Sequence, residues 1–310
     1  MQPFKKILLT GVNGQVGHAL KAKLAATGQV DMAQLVTLDR SQLDLANPDA
    51  IRSAVQAIKP DLIINPAAYT AVDLAESQPA QAHAVNAIAP GILAEEAAKI
   101  NALLIHYSTD YVFDGLKNSP YLEDDPIQPD SVYGKTKRAG EDAIRVVGLP
   151  HLILRTSWVY GSYGKNFLRT ILRLASERES LKIVADQIGA PTSASAIAEA
   201  TISILQELKK GQSGTYHLTN TGETTWYGFA QAIVDIYEEK QAEKGWPALK
   251  AYSSNIMPIT TSEYPTPASR PANSRLNCGK LKRDFNIELA DWHTTLLEVM
   301  HSPDFQAYLS

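Results

Sequence analysis

The segment Lys6-Ile-Leu-Leu-Thr-Gly-Val-Asn-Gly-Gln-Val-Gly17 decides the fold of this chain. Its apolar residues before Gly11 predict a short buried strand, and the apolar positions Val16, Leu20 and Leu24 predict a helix directly after it. The glycines between them are spaced GxxGxxG, which permits a tight turn and brings the backbone close to a pyrophosphate at a helix N-terminus. This order predicts a dinucleotide site, although the glycines by themselves would also suit a purely structural turn.

The segment Gln34-Leu-Val-Thr-Leu38 predicts the second strand, which ends at Asp39. An acidic residue roughly 20 positions after such a glycine loop commonly binds the adenine ribose of NAD. Arg40 follows at once, and an arginine there can pair with the 2′-phosphate of NADP. The two neighbours therefore leave NADH and NADPH both open as the cofactor, and Arg40 is equally well explained as a solvated surface charge.

Strands and helices alternate through the first half of the chain. Asn47-Pro48-Asp49 is a typical helix start, Asp61-Leu-Ile-Ile-Asn65 predicts a third strand, and a helix is expected from about Pro79 to Ala98. This alternation predicts a Rossmann-type, doubly wound parallel sheet of the α/β class. Asn86 lies among apolar neighbours of the last helix, and a buried asparagine needs partners. It is either a strut that holds a site or a satisfied core amide.

Two later segments, Ile105-His-Tyr-Ser-Thr-Asp-Tyr-Val-Phe113 and Ser131-Val-Tyr-Gly-Lys-Thr-Lys137, carry the chemistry. Thr109 follows an apolar run, so its hydroxyl is expected at the carboxyl end of a strand, where parallel sheets bind ligands. Tyr133 and Lys137 are four residues apart, so they share one face of a helix that runs to about residue 147. These three side chains could protonate a carbonyl oxygen while hydride reaches its carbon.

The tyrosine needs help to act as an acid, because a free phenol has a pKa of about 10. One ammonium at about 4 Å supplies roughly 4 kcal/mol at an effective dielectric of about 20, enough to lower that pKa by about 3 units. We therefore expect Lys137 to acidify Tyr133. A Tyr-x-x-x-Lys pair is weak evidence by itself, because a chain with 13 tyrosines carries one by chance about half the time.

The alternation of predicted strands and helices becomes less regular after residue 160. The strand predicted for His151 to Tyr160 places Trp158 near its carboxyl end, where the indole could stack on a sugar or base, or merely pack in the core. We expect a dinucleotide-binding domain over 1–160, with about 193–220 returning to it. A smaller α/β substrate domain would occupy most of 161–310.

A proline-rich stretch, Tyr264-Pro-Thr-Pro-Ala-Ser-Arg-Pro-Ala-Asn-Ser274, predicts a fixed loop. Its Arg270 and Asn273 are suited to bind phosphate or a base. A solvated loop without a binding role is the alternative.

Composition narrows the class of protein. The 310 residues are 45% hydrophobic and 20% charged with a net charge of −4, which is ordinary for a globular protein. No Lys/Arg cluster stands out, so we expect neither a nucleic-acid nor a membrane partner. The single cysteine, Cys278, rules out an intrachain disulfide. The lone cysteine and the lack of an apolar run of about 18 residues indicate a cytoplasmic protein.

Taken together, the motifs resemble those of the extended short-chain dehydrogenase/reductase superfamily and, within it, the dTDP-4-dehydrorhamnose reductases. The resemblance covers essentially the whole chain and is carried by Gly11-x-x-Gly-Gln-Val-Gly17, Asn65-x-Ala-Ala-Tyr-Thr-Ala-Val-Asp73, Ser108-Thr-Asp-Tyr-Val-Phe113, Tyr133-Gly-Lys-Thr-Lys137, Arg155-Thr-Ser-Trp-Val-Tyr160, Asp186-Gln-x-Gly-Ala-Pro-Thr192 and Arg270-Pro-x-Asn-Ser274. Each piece is common, but the combination is highly specific.

The resemblance implies reduction of the 4-keto group of dTDP-4-dehydro-β-L-rhamnose by NADPH or NADH, giving dTDP-L-rhamnose for polysaccharide biosynthesis. It makes Tyr133 the proton donor, gives Lys137 the nicotinamide ribose, and places Thr109, Asp110 and Trp158 on the sugar. The residues expected around the cofactor are Gly11, Gly14, Gln15, Val16, Gly17, Asp39, Arg40, Asp44, Leu45, Ala67, Ala68, Tyr69, Tyr107, Tyr133 and Lys137. Many members of the family use Mg²⁺ at a dimer contact, so Mg²⁺ and a homodimer are further expectations, with metal ligands unknown.

One residue departs from the family pattern. Pro66 stands where the family more often has alanine, and proline removes a backbone donor beside the cofactor. The resemblance therefore leaves the backbone geometry at residue 66 undetermined, but it does not change the expected reaction.

Two rival functions fit parts of the pattern. Nucleotide-sugar dehydratases resemble this chain but carry Asp-Glu after the threonine, whereas Thr109 is followed here by Asp110-Tyr111. Epimerases of the same superfamily fall in this first class. The second rival is a non-catalytic NADP-binding regulatory subunit, because a partner of methionine adenosyltransferase also resembles this family.

Overall fold

The computed structural model describes residues 4–26, 34–209 and 211–309. Their strands are β1 (Ile7–Thr10), β2 (Leu35–Leu38), β3 (Leu62–Asn65), β4 (Leu103–Thr109), β5 (His151–Thr156), β6 (Val159–Tyr160), β7 (Leu181–Val184), β8 (Ile188–Gly189), β9 (Thr192–Ser193), β10 (Gly214–His217), β11 (Thr224–Thr225) and β12 (Ile256–Ile259). The apolar runs that predicted β1, β3 and β4 are fully buried, as expected for strands covered on both faces.

The α-helices of the same residues are α1 (Gln15–Ala26), α2 (Pro48–Ile58), α3 (Val72–Ser77), α4 (Pro79–His83), α5 (Ala89–Lys99), α6 (Val132–Val147), α7 (Phe167–Glu177), α8 (Ala194–Glu207), α9 (Trp226–Lys244), α10 (Gly279–Phe285), α11 (Trp292–His301) and α12 (Pro303–Leu309). Across the described ranges, no helix combines the length and the apolar character needed to cross a bilayer.

Six of the strands form one parallel sheet in the order β10-β5-β4-β3-β1-β2. This confirms the predicted doubly wound α/β fold. The chain moves outward from β1 to β2 and then returns to build β3 on the other side of β1. The order therefore reverses between β1 and β3, and a crevice opens there at the carboxyl ends of the strands. Ligands bind at such switch points in open α/β sheets.

Helices cover both faces of the sheet. Ile7 and Leu9 of β1 point into a layer built with α1, α8 and α10, whereas Leu8 points into a layer built with α2, α5 and α6. This alternation is the period of two that a strand imposes. The sheet is thus clamped between two apolar layers, which hold its carboxyl edge rigid.

A third apolar cluster lies outside the sheet. It joins α7, α9, α11 and α12 with the short parallel pair of β7 and β12. In contrast, β10 is an edge strand of the central sheet and α8 packs against α1, so this part of the chain lies with the first half. Where a domain boundary should be drawn stays a prediction.

Local sequence signals explain the helix ends near the site. The side chain of Asn47 caps α2 by accepting from two backbone N–H groups, with Pro48 at the first helical position. Ser131 caps α6 by accepting from the backbone N–H of Gly134 at 3.1 Å, and Gly148 ends the helix in the left-handed region. The cap fixes where α6 begins and therefore the helix face that Tyr133 and Lys137 share.

The single helix predicted from about Pro79 to Ala98 is wrong in one respect. A π-helical turn, Ala84–Ile88, separates α4 from α5. The wider turn carries Asn86, whose side-chain oxygen accepts from the Tyr69 backbone N–H at 2.8 Å. Its amide nitrogen donates to the Tyr69 carbonyl at 3.1 Å and to the Thr136 hydroxyl at 3.2 Å. Both interpretations of Asn86 therefore hold. Its amide is hydrogen-bonded in the core, and its bonds to Tyr69 fix the loop after β3.

Candidate active site

A cavity of about 670 Å³ lies at the switch point, at the carboxyl ends of β1, β3, β4 and β5. Most of the predicted site residues line it, namely Gly11, Gly14, Gln15, Val16, Gly17, Asp39, Arg40, Asp44, Leu45, Ala67, Ala68, Tyr69, Tyr107, Thr109, Asp110, Tyr133, Lys137 and Trp158. Arg270 and Asn273 are the two predicted residues that do not line it. Segments far apart in sequence thus meet around one crevice.

The glycine loop leaves no room for side chains. Gly11 has φ of +58°, and a Cβ there would lie 2.7 Å from the Cβ of Ala67. A Cβ on Gly17 would collide with the carbonyl oxygen of Gly11. The amide oxygen of Gln15, at the start of α1, is buried and has no hydrogen-bond partner among the described residues. The bare backbone, the helix N-terminus and this orphaned oxygen fit a dinucleotide pyrophosphate and its neighbouring groups.

Two charged residues follow β2: Asp39, whose carboxylate is hydrogen-bonded, and Arg40, whose guanidinium has no partner among the described residues. Oδ1 of Asp39 accepts from the backbone N–H of Ser41 at 2.8 Å and from its hydroxyl at 2.6 Å. These bonds, the hydroxyl's first, hold the pKa of Asp39 below its usual range. Oδ2 accepts from Asn13 of the glycine loop at 3.2 Å. The exposed Arg40 makes no ion pair or hydrogen bond with any described residue, so its guanidinium is available to a ligand.

Thr109 and Tyr133 meet on the floor of the cavity. Thr109 ends β4, and its hydroxyl donates to Oδ1 of Asp110 at 2.9 Å. Burial raises the pKa of the Tyr133 phenol, the Thr109 hydroxyl lowers it in part, and Asp110 raises it. Burial also raises the pKa of Asp110, to about 6. The phenol is therefore fully protonated near neutral pH.

Lys137 is buried deeper than the sequence suggests. Its Nζ donates to the backbone carbonyl of Tyr107 at 2.6 Å and lies 3.1 Å from Nε2 of His106. Burial lowers the pKa of Lys137 to about 8, against a raising influence of Glu141. Its amine is thus buried where it lines the cavity, and its pKa lies close to neutral pH.

The expectation that Lys137 acidifies Tyr133 is wrong for the protein alone. The groups that shift the phenol's pKa are its apolar surroundings, Thr109 and Asp110, and the net shift is upward. The reason is that both partners are buried, and desolvation disfavours phenolate and ammonium alike. The assignment of Tyr133 as the proton donor is a separate matter and stays a prediction.

Trp158 forms one wall of the cavity in an unusual backbone conformation. Its φ of +49° lies in the left-handed region, which costs a non-glycine residue energy that its surroundings must offset. Its ring stacks on that of Trp226 with centroids 3.6 Å apart, and a Cβ on Gly189 would lie 2.6 Å from the indole. The Trp226 N–H donates to the side-chain oxygen of Gln187 at 3.1 Å. The sequence analysis missed Trp226 and Gln187, for which the Asp186-Gln-x-Gly motif was the available signal.

Arg270 and Asn273 hold the proline-rich loop in place. Arg270 donates to the Asp73 carboxylate at 2.7 Å and lines a separate depression with Lys135 and Arg138. The Asn273 amide nitrogen donates to the carbonyls of residues 117 and 119, and its oxygen accepts from Arg275. Every polar atom of Asn273 is thus used within the protein, which contrasts with the expected ligand role. That role stays a prediction for both residues.

Three buried polar residues that the sequence analysis did not place in the site adjoin it: Thr10 lines the cavity, and Asn65 and His106 link Thr10 to Lys137. Thr10, Asn65 and His106 stand at or near the carboxyl ends of β1, β3 and β4, and each is at most 1% exposed. A polar residue after an apolar strand run was the signal that could have identified them. We call these three residues the strand-end row.

Among the described residues, no three His, Cys, Asp or Glu side chains lie close enough together to hold a metal ion. The expected Mg²⁺ therefore has no set of ligands in this part of the chain.

A family model described as the RmlD substrate-binding domain matches residues 5–304. The dTDP-4-dehydrorhamnose reductase of Burkholderia thailandensis is 50% identical over 293 residues, which is 93% of this chain and 95% of that protein. The reductase of the same name from Escherichia coli K12 is 42% identical and covers 95% of this chain and 97% of its own.

Solved structures agree with these relatives. The structure of a Clostridium acetobutylicum dTDP-4-dehydrorhamnose reductase superposes with a TM-score of 0.86 at 35% identity, covering 95% of this chain and 98% of that one. That of the Bacillus anthracis enzyme, in complex with NADP, superposes with a TM-score of 0.85 at 33% identity and covers 96% and 98% of the two chains.

Proposed function

The chain belongs to the dTDP-4-dehydrorhamnose reductase family, and on this premise we propose that it reduces the 4-keto group of dTDP-4-dehydro-β-L-rhamnose with NADPH or NADH, giving dTDP-L-rhamnose. The observation that carries the proposal is the cavity at the switch point. It brings the glycine loop, whose Gly11 and Gly17 have no room for a Cβ, together with Thr109, Tyr133 and Lys137. A cofactor site and a proton donor are then within one crevice, as a carbonyl reductase requires.

The glycine loop and the N-terminus of α1 would hold the pyrophosphate, and the loop after β2 would hold the adenine ribose. NADPH suits Arg40, because its guanidinium has no partner among the described residues and can pair with a 2′-phosphate. NADH suits Asp39, whose Oδ2 lies beside the glycine loop. We propose that both cofactors bind and that Arg40 favours NADPH.

The protein's own groups then act on the ketone. When bound, the cofactor supplies the hydride that reaches C4 of the sugar. Tyr133 donates its phenolic proton to the C4 oxygen, and its raised pKa ensures that the proton is present beforehand. Lys137 in its ammonium form would hold the nicotinamide ribose and place a positive charge near the phenolate that is left. Thr109, Asp110 and Trp158 would position the sugar.

Two further expectations come from the family resemblance, a homodimer and Mg²⁺. We keep the homodimer as a prediction, which sedimentation of the purified chain would test. We assign Mg²⁺ no ligands, since the described residues contain no cluster for it.

The test is the stoichiometry of cofactor consumption. Purified protein with NADPH and the keto-sugar nucleotide should lose one equivalent of reduced-nicotinamide absorbance for each sugar converted. A dehydratase or epimerase would change the sugar without net loss of absorbance. A regulatory subunit would bind the cofactor and turn over neither compound. Either result would overturn the proposal.

A further inference from the structure

The strand-end row forms one continuous line of hydrogen bonds that ends on Lys137. The Thr10 hydroxyl donates to the Asn65 side-chain oxygen at 2.6 Å, and the Asn65 amide nitrogen lies 3.1 Å from Nδ1 of His106. Nε2 of the same ring lies 3.1 Å from the Lys137 amine. Asn65 and His106 are directly paired in the sheet, so the strand register itself aligns their side chains. No part of the mechanism above uses these three residues.

The observed arrangement fits only one charge state of the lysine. An amide nitrogen carries hydrogens and cannot accept, so Asn65 donates to Nδ1 of His106. A neutral imidazole with an accepting Nδ1 carries its proton on Nε2. That N–H must then donate to Lys137, and only a neutral amine has a lone pair to accept it. The amine can still donate to the Tyr107 carbonyl at 2.6 Å.

A charged Lys137 requires the opposite arrangement. The ammonium donates to Nε2, the ring proton moves to Nδ1, and Asn65 must present its oxygen to that proton. This needs only a half-turn of the Asn65 amide, which exchanges its oxygen and nitrogen and leaves the shape of the side chain the same. Thr10 suits both arrangements, because a hydroxyl can donate or accept. Any mixture of the two would set buried donors against each other, which is costly where the groups are shielded from solvent.

The imidazole cannot simply take up the charge itself. Burial, and then the charge of Lys137, hold the pKa of His106 well below its usual range. The other groups that act on Lys137 are the backbone carbonyl of Tyr107 from β4 and the carboxylate of Glu141 from its own helix. The charge of Glu141 is already balanced by Arg155 at 2.7 Å. The strand-end row is therefore the part of the surroundings of Lys137 whose hydrogen bonds change direction when the lysine changes charge.

We propose that the strand-end row sets the protonation state of Lys137, with the Asn65 amide turning over as the lysine gains or loses its proton. On deprotonation one proton leaves for the solvent, the ring proton is found on Nε2 instead of Nδ1, and Asn65 presents its nitrogen instead of its oxygen. His106 and Asn65 are positioning residues that act through Lys137. The importance of this coupling for turnover rests on the proposed function, whereas the coupling itself does not.

Two substitutions should move the titration of Lys137 in opposite directions. His106→Leu removes the acceptor of a charge-assisted hydrogen bond, so the basic limb of the kcat profile should move down by about one pH unit. Asn65→Asp offers only acceptors to Nδ1, which favours the ammonium, so the limb should move up. His106→Gln, whose amide oxygen can accept, should recover part of the downward shift.

His151→Leu is the matched control, because His151 lies at the amino end of β5 in the same sheet and its ring hydrogen-bonds, among the described residues, only to Leu149 and Ser213. Its profile should be unchanged. Shifts of equal sign in His106→Leu and Asn65→Asp, or no shift in either, would overturn the proposal.

The decisive measurement needs neither cofactor nor turnover. Two-bond proton–nitrogen spectra of ¹⁵N-histidine-labelled, cofactor-free protein report the tautomer of each ring, and His106 is assigned by its loss in His106→Leu. Its ring should stay neutral from about pH 6 to about pH 10 and change from the Nδ1–H to the Nε2–H tautomer as Lys137 titrates. In Asn65→Asp the Nδ1–H tautomer should persist. A single tautomer at every pH in the unsubstituted protein, or an imidazolium, would overturn the proposal even if the reductase activity is confirmed.

Discussion

Tyr133→Phe should lower kcat by about 10²- to 10⁴-fold, the range lost with a general acid. The change deletes one oxygen and keeps the ring, which is 9% exposed and packs edge-on against Tyr111 at a centroid distance of 5.4 Å. The kinetic loss corresponds to roughly 3 to 5 kcal/mol of transition-state stabilisation. The cost in folding should be smaller, about 0.5 to 1.5 kcal/mol for one hydrogen bond.

Tyr160→Phe is the matched control for this change. Tyr160 is also buried, its hydroxyl also pairs with a threonine, Thr295 at 3.1 Å, and burial also raises its pKa. It lies in the third apolar cluster and not on the cavity. Both substitutions should lower the unfolding free energy to a similar extent, but only Tyr133→Phe should lower kcat.

The assay combines steady-state loss of reduced-nicotinamide absorbance at saturating substrates, cofactor affinity by fluorescence titration, and urea unfolding. Cofactor affinity should be nearly unchanged, because the phenol acts on the sugar ketone. If Tyr133→Phe retains kcat within about threefold of the unsubstituted protein while folding normally, the assignment of the proton donor is refuted.

Arg40→Ala should raise the KM for NADPH about tenfold, the loss expected for one charge-assisted contact to a phosphate, and leave that for NADH nearly unchanged; equal effects on both cofactors would contradict the assignment. Glu141→Gln should lower the free energy of unfolding by about 3 to 5 kcal/mol, because it removes the charge that balances the buried Arg155. Urea denaturation measures this, and the exposed Glu177→Gln should cost less than about 1 kcal/mol. Turnover should fall as pH rises through about 8, because the buried Lys137 loses its ammonium charge there. A kcat that stays level across that range would show that the charge is not needed.

The sequence was informative wherever one residue type has one physical use. The glycine spacing predicted a turn that a side chain would block, and the structure shows the collision at Gly17. Asn47 predicted a helix start because its side chain can accept from the first free N–H groups, and it does so; Ser131 caps α6 in the same way. Continuous apolar runs predicted the buried strands, and the parallel sheet follows from the helices between them.

The order of strands was beyond local reasoning. Nothing in the apolar run of β3 states that it pairs with β1 and not with β2. That choice depends on how the two helix layers pack around the whole sheet. The cavity nevertheless lies where the predicted residues are, because the loops after parallel strands share one edge in any such order.

Contacts between side chains and the depth of burial could not be predicted from the sequence. Asn273 has the chemistry of a ligand group, but three backbone or side-chain partners already use its polar atoms. Lys137 has the right spacing to acidify Tyr133, but the degree of burial decides the sign of both pKa shifts and cannot be read from spacing. The sequence analysis missed His106 for a related reason. The groups that contact a histidine inside a strand come from the neighbouring strands, and the sequence does not give the strand order.

The most direct test of the account follows the hydride itself. The protein is incubated with the keto-sugar nucleotide and NADPH that carries deuterium at the transferable C4 position of the nicotinamide, and the product is examined by NMR and mass spectrometry. The account predicts dTDP-L-rhamnose with one deuterium at C4 of the sugar and a proton from solvent on its oxygen. A changed sugar without deuterium at C4, or recovery of both starting compounds, would contradict it.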